Sequence, residues 1–267
     1  MSAPREHEPE RGAPSAEQPA QAAESDPLPV EATTDAALNA STFRSRSVSI
    51  GACNGGSLRR GVHLRSSSTI VVRESNPVRY GTRELVDMLK RSSQAVTARF
   101  PGSKLFVGDL SERRGGRVHP HRSHRSGRDA DVGFYVMSER SAPASVHQFL
   151  HMRRNGTAVD RRGRSYRFDV ARNWALVESM LRDPVARVQY IFVASWLSRR
   201  LLSHARSSGA QPELIARADT VMRQPAGSPH DSHFHVRIYC PVDDRHRCSD
   251  DPPYHPWFEG TPSRPRR

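Results

Sequence analysis

Residues 119–131 read His-Pro-His-Arg-Ser-His-Arg-Ser-Gly-Arg-Asp-Ala-Asp, three histidines and two aspartates in thirteen positions. About a hundred residues later, positions 230–235 read His-Asp-Ser-His-Phe-His. Imidazole nitrogens and carboxylate oxygens are the N and O ligands that Zn²⁺ accepts in a tetrahedron, and three protein ligands leave a fourth position for water, as in a catalytic site. His124 and Asp131, six residues apart, are the candidates in the first cluster, and His235 is the candidate in the second. In extended chain, side chains at i and i+2 share a face. His233 and His235 then lie side by side, one able to bind metal and the other able to reach substrate. Asp129 competes with Asp131, or else holds a ligand histidine by its second ring nitrogen. Against this stands a plainer reading: histidines in Arg- and Ser-rich loops are commonly solvated, and one H-x-H occurs by chance. Two clusters that each adjoin an expected strand favour a metal site.

Those strands belong to a larger pattern. Leu85, Val86, Leu89, Val96 and Phe100 form a helical stripe over 82–100, with Thr82 or Gly81 as N-cap and Pro101-Gly102 as the stop. Asp169 caps a second helix to about 182, with Trp174, Val177 and Leu181 inward. A third helix over 195–206 turns Trp196, Leu197, Leu201 and Leu202 inward, and a shorter one covers 212–222. Strands are expected at 104–110, 131–137, 187–194 and 234–239, with a small candidate at 69–73. Residues 46–73 read as an irregular surface wrap. Residues 138–168 read as a long lid or binding loop, since periodicity there is weak. No Gly-rich phosphate loop follows a strand, so the expected class is α+β, a small antiparallel sheet of about four strands flanked by helices. Residues 1–45, rich in Pro, Glu, Ala and Ser, read as a disordered tail. The domain spans 46–250, and 251–267 is a Pro-rich frayed end.

Composition narrows the partners. Of 267 residues, 41 are Lys or Arg and 28 are Asp or Glu, for a net charge of +13, and Lys90 and Lys104 are the only lysines. Such a chain is drawn to polyanions, a carboxylate-bearing wall polymer among them. The arginines are scattered and no run of aromatics is present to stack bases, so a nucleic-acid module is the lesser reading. Cys53, Cys240 and Cys248 show no C-x-x-C spacing. The last two could close a loop as a disulfide or remain reduced thiols. No apolar run approaches the ~20 residues that span a membrane, and no signal-peptide apolar region is visible. Ile50-Gly-Ala-Cys53 looks like a lipobox but lacks the apolar run before it.

Val107-Gly-Asp-Leu-Ser111, Gly115-Gly116, His121-x-x-His124-x-Ser-Gly-x-Asp-x-Asp131 and His233-x-His235-Val-Arg-x-x-Cys-Pro241 together resemble the penicillin-insensitive murein endopeptidases, of the lysostaphin, D-Ala-D-Ala peptidase and hedgehog group. The likeness runs from about Ser49 to Cys248. It implies one Zn²⁺ held by His124, Asp131 and His235, with His233 catalytic and His230 or His121 assisting. It also implies His121 in the cleft and a Cys240–Cys248 disulfide. The implied substrate is the D-alanyl–diaminopimelyl cross-link of peptidoglycan, the implied location periplasmic. Because the hydrolysis needs no serine nucleophile, β-lactams would not inhibit it. Related dipeptidases carry a Glu shortly before the final histidine; here the stretch is Pro229-His-Asp-Ser-His-Phe-His235, which favours an endopeptidase. The alternative that the resemblance allows is a zinc-binding wall module without turnover. His119 falls outside the pattern.

Overall fold

A computed structural model describes residues 46–73 and 77–258; the tail expected over 1–45 lies outside them. The chain enters through two short antiparallel pairs, β1 (Val48–Ile50) with β2 (Ser57–Arg59) and β3 (Val62–His63) with β5 (Tyr80–Gly81), and β4 (Ile70–Val72) falls between β3 and β5. Helix α1 (Arg83–Arg99) follows, with the Thr82 hydroxyl accepting the Leu85 N–H at its start. β6 (Leu105–Val107) leads through the first histidine cluster to β7 (Asp129–Gly133). Four short strands come next: β8 (Val136–Ser138), β9 (Pro143–Ala144), β10 (Thr157–Val159) and β11 (Ser165–Phe168). Then follow α2 (Val170–Leu181, capped by Asp169), β12 (Val188–Phe192), α3 (Ser195–Ser207), α4 (Pro212–Val221), β13 (Met222–Arg223) and β14 (His233–Ile238).

The main sheet has six strands in the order β13-β12-β14-β7-β6-β4. Its centre, β12-β14-β7-β6, is antiparallel and consists of the four strands expected from sequence. The α+β class therefore holds, while two parallel edge strands, β4 and β13, extend the sheet beyond about four. The side chains of β7 and β14 alternate between faces. Ala130, Val132, Phe234, Val236 and Ile238 on one face join the buried residues of all four helices in a single apolar cluster. Burying one such large side chain contributes about 1.5–3 kcal/mol. The opposite face carries Asp129, Asp131, His233, His235 and Arg237.

Three expectations are corrected. The single strand over 131–137 is two strands in different sheets, because Phe134 and Tyr135 carry the chain out of one sheet into the other. Residues 138–168 are no bare loop: with β8 they build a four-stranded antiparallel sheet, β10-β11-β8-β9. Their strands of two to four residues are too short to show a period. The wrap of 46–73 buries Leu58 and Leu64, so it belongs to the core as well as the surface.

The C-terminal end is also packed as far as Phe258; 259–267 lie outside the described residues. The Trp257 indole donates to Val188 O (2.9 Å) and the Tyr239 hydroxyl to Pro253 O (2.7 Å). A Cys240–Cys248 disulfide closes the loop after β14, and Gly51 N–H donates to Arg247 O at its base (2.8 Å). Beneath this loop, Arg128 pairs with Asp250 in a nearly dry setting, their side chains 1% and 6% exposed. Burial raises the Asp250 carboxyl above its ordinary value even with the guanidinium beside it. Arg128→Ala should therefore lower stability by about 3 kcal/mol, read as a shift of the urea unfolding midpoint. Cys53 is buried and its thiol is pushed up to about 12 by that burial. An aromatic disulfide reagent should find no reactive thiol in the native protein and a single one after unfolding without reductant.

Candidate metal centre

The pairing of β7 with β14 builds the site. In this register Asp131 lies directly opposite His235, Asp129 opposite Arg237, and Gly133 opposite His233. His124 arrives from the loop before β7 in a left-handed conformation (φ 64°), as does His230 before β14 (φ 44°). Such conformations cost a non-glycine residue about 1–2 kcal/mol, so the surrounding contacts must hold them.

Those contacts also settle which ring nitrogens are free. The His124 Nδ1 lies 2.6 Å from Leu110 O. A carbonyl only accepts, so Nδ1 carries the proton and Nε2 presents a lone pair. His235 Nε2 lies 2.9 Å from Asp129 Oδ1, and its Nδ1 lies 3.0 Å from Asp131 Oδ1. With Asp129 holding the proton on Nε2, Nδ1 is the nitrogen that a bound ion would take, in place of the proton it otherwise shares with Asp131. His124 Nε2 is 3.3 Å from His235 Nδ1 and 3.3 Å from Asp131 Oδ1. Three potential donor atoms thus converge at mutual separations of 3.0–3.3 Å. Ligands bonded at about 2.0–2.2 Å in a tetrahedron stand about 3.3–3.6 Å apart. One proton can bridge only two of these atoms; a metal ion can engage all three. The donors fit an ion.

His121 joins the group, since His121, His124 and Asp131 each offer a ligand atom within 4.8 Å of the others, enough to hold a metal ion. It is the looser partner. Its Nε2 is engaged by Asp109 Oδ2 at 3.0 Å, and its Nδ1 stands 3.8 Å from Asp131 Oδ2. His233 Nε2 lies 3.5 Å from Asp131 Oδ1. The His230 ring sits 5.6 Å from that of His233 and 6.0 Å from that of His235. All seven site residues expected from sequence therefore meet on one side of the sheet, while His119 is exposed.

Electrostatics divides the histidines. Burial alone would lower His235, but Asp129 and Asp131 outweigh it and bring the ring to about 9. Burial brings His233 down to about 4, since it meets only the edge of the Asp131 carboxylate. His230 is also lowered, chiefly by burial. The Asp109 hydrogen bond raises His121. Asp129 and Asp131 both stay below the ordinary carboxyl range: burial pushes them up, but Arg237 with His235, and His124 with His235, outweigh it respectively. At neutral pH and without an ion, the site therefore combines a cation-seeking centre with a neutral imidazole, His233.

Three supporting groups are not among the expected site residues. Asp109, between Arg73 (3.4 Å) and His121, orients the latter. The Ser232 hydroxyl lies 2.9 Å from His233 Nδ1. The Phe149 ring stacks on His233 with centroids 4.6 Å apart. Gly108 makes room for it, because a Cβ there would stand 2.3 Å from Phe149 Cζ. In chelator-treated protein the His233 imidazole should titrate near pH 4 by NMR. Phe149→Leu should move its ring protons downfield by removing the stacked ring.

A family model described as penicillin-insensitive murein endopeptidase matches residues 49–260. No curated protein matches the chain.

Proposed function

Because the chain belongs to the penicillin-insensitive murein endopeptidase family, whose members act on peptidoglycan in the cell wall, we propose that it is a zinc-dependent endopeptidase cutting the D-alanyl–diaminopimelyl cross-link. The observation that carries the metal assignment is the convergence of His124 Nε2, His235 Nδ1 and Asp131 Oδ1 within 3.3 Å of one another. We assign the ion to these three residues rather than to His121, whose Nδ1 stands 3.8 Å from Asp131 Oδ2, farther than the three donors stand from one another. Zn²⁺ held there supplies polarisation of the scissile carbonyl and acidification of a water.

The chain's own groups do the rest. His233 is neutral at pH 7 and is held by Ser232 and Phe149, so its Nε2 is free to take a proton as general base. His121, raised by its hydrogen bond to Asp109, lines the cleft where an oxyanion develops. His230 lines the same wall as a neutral ring. Asp129 fixes the His235 tautomer and is itself fixed by the Arg237 Nε at 2.7 Å. No serine takes part, so β-lactams should leave the rate unchanged. No helix among the described residues is long and apolar enough to cross a membrane. The disulfide suits an oxidising compartment such as the periplasm.

The purified protein should contain about one zinc per chain, the stoichiometry of a three-ligand site. Chelation and His124→Ala should each stop release of monomeric muropeptides from cross-linked sacculi. His233→Ala should keep the zinc and lose about 10²–10⁴-fold in rate. Asp129→Asn should weaken zinc affinity about 10–100-fold. Cleavage that survives both chelation and His124→Ala overturns the proposal. Zinc binding without any cleavage by the unmodified protein would make it a wall-binding module instead.

A further inference from the structure

Beside the metal centre lies a cavity of about 590 Å³ whose walls include His151, Arg153, Arg154, Trp196, Pro229 and Asp231. Pro229 and Asp231 flank His230 in the chain, so the cavity shares a wall with the site. Trp196, expected to face inward from α3, packs partly buried against the core and also lines this space. The wall is firmly built. Met152 N–H donates to Asp231 O (2.8 Å), and His151 Nδ1 meets Asp231 Oδ1 (2.8 Å). A tight turn follows, with Gly156 N–H donating to Arg153 O (2.8 Å) and Arg153 N–H to Thr157 O (2.7 Å). Gly156 takes φ 85° there, and Arg200 of α3 lies over it and donates to Arg154 O (3.0 Å).

Arg153 and Arg154 are thus exposed on a fixed turn, and neither has a carboxylate partner among the described residues. Asp231 is the one carboxylate of the cavity wall, and His151 already engages it. Two guanidinium groups without counter-charge in a concave wall match a carboxylate, which the planar fork binds through two parallel N–H bonds. Trp196 adds a flat face for the apolar part of a ligand.

We infer that this cavity is a substrate subsite in which Arg153 and Arg154 bind a free carboxylate of the peptide cross-link. The inference rests on the endopeptidase reading above and names what that reading leaves open, the contact that selects an acidic peptide. In the proposed substrate, the carbon bearing the scissile amide nitrogen also bears a free carboxylate. The stem peptide's glutamyl residue bears another.

The test uses the zinc-loaded full chain and two soluble cross-linked tetrapeptide dimers, one with free carboxylates and one with those groups converted to carboxamides. For the Arg153→Gln, Arg154→Gln double variant, KM on the acid dimer should rise about 10-fold while kcat falls by no more than about twofold. On the amide dimer the unmodified enzyme should already show the raised KM, and the double variant should add nothing. An unchanged KM on the acid dimer, or an equal rise on both, overturns the subsite. A second readout is independent of turnover. In a His233→Ala background, tryptophan fluorescence should change on addition of the acid dimer. Trp196→Phe or the Arg double variant should remove that change, and no change at all in the background protein also overturns the subsite. Arginine-dependent binding without cleavage by the unmodified enzyme would retain the subsite and remove the endopeptidase reading. Cleavage indifferent to the arginines would do the reverse.

Discussion

The pairing of β7 with β14 is the interaction on which everything else rests. Its register sets Asp131 against His235 and Asp129 against Arg237 on one face, and Val132 against Phe234 on the other. A slip of one residue would turn the aspartates into the helix-lined core and the core residues into the cleft. Hydrophobic burial on the helical face therefore locates the ligands on the opposite face. The edge strands β4 and β13 and the helices matter to the chemistry mainly because they hold this pair in the middle of the sheet.

Burying two carboxylates side by side costs far more than it returns unless each is compensated. Asp129 and Asp131 are both buried, and both stay ionised because Arg237, His235 and His124 surround them. The same groups that neutralise the aspartates aim His235 and His124 at Asp131. Stability without an ion and readiness to accept one thus come from one network. His124 and His230 add backbone conformations that cost a non-glycine residue and that the surrounding contacts must hold.

Much of this is legible in residue order. The helices over 83–99, 170–181 and 195–207 follow from apolar stripes and from Thr82 and Asp169 as caps. The four central strands are long enough, or apolar enough, to stand out. The strands β8 to β11 are not, because they last only two to four residues. Trp196 fits a helical stripe and packs on the core, yet it also lines a cavity, since a stripe records spacing and says nothing of whether another element covers it fully. Asp109 lies within a recognisable motif, yet only the return of the chain brings His121 to it.

Sequence alone determined the residue types, the two clusters and the kinship they imply, because ligand chemistry and spacing survive in one dimension. Tertiary structure decided what each histidine is. His233 and His235 stand two residues apart on one strand face, yet one sits near 4 and the other near 9. The difference is set by partners distant in the chain: Asp129 and Asp131 embrace His235, whereas His233 is covered by Phe149 and touches only one carboxylate edge. Which nitrogen of His124 is free depends likewise on Leu110, fourteen residues before it and on the far side of a loop. Protonation state and tautomer are properties of the surroundings, and a linear chain does not specify its surroundings until it has folded.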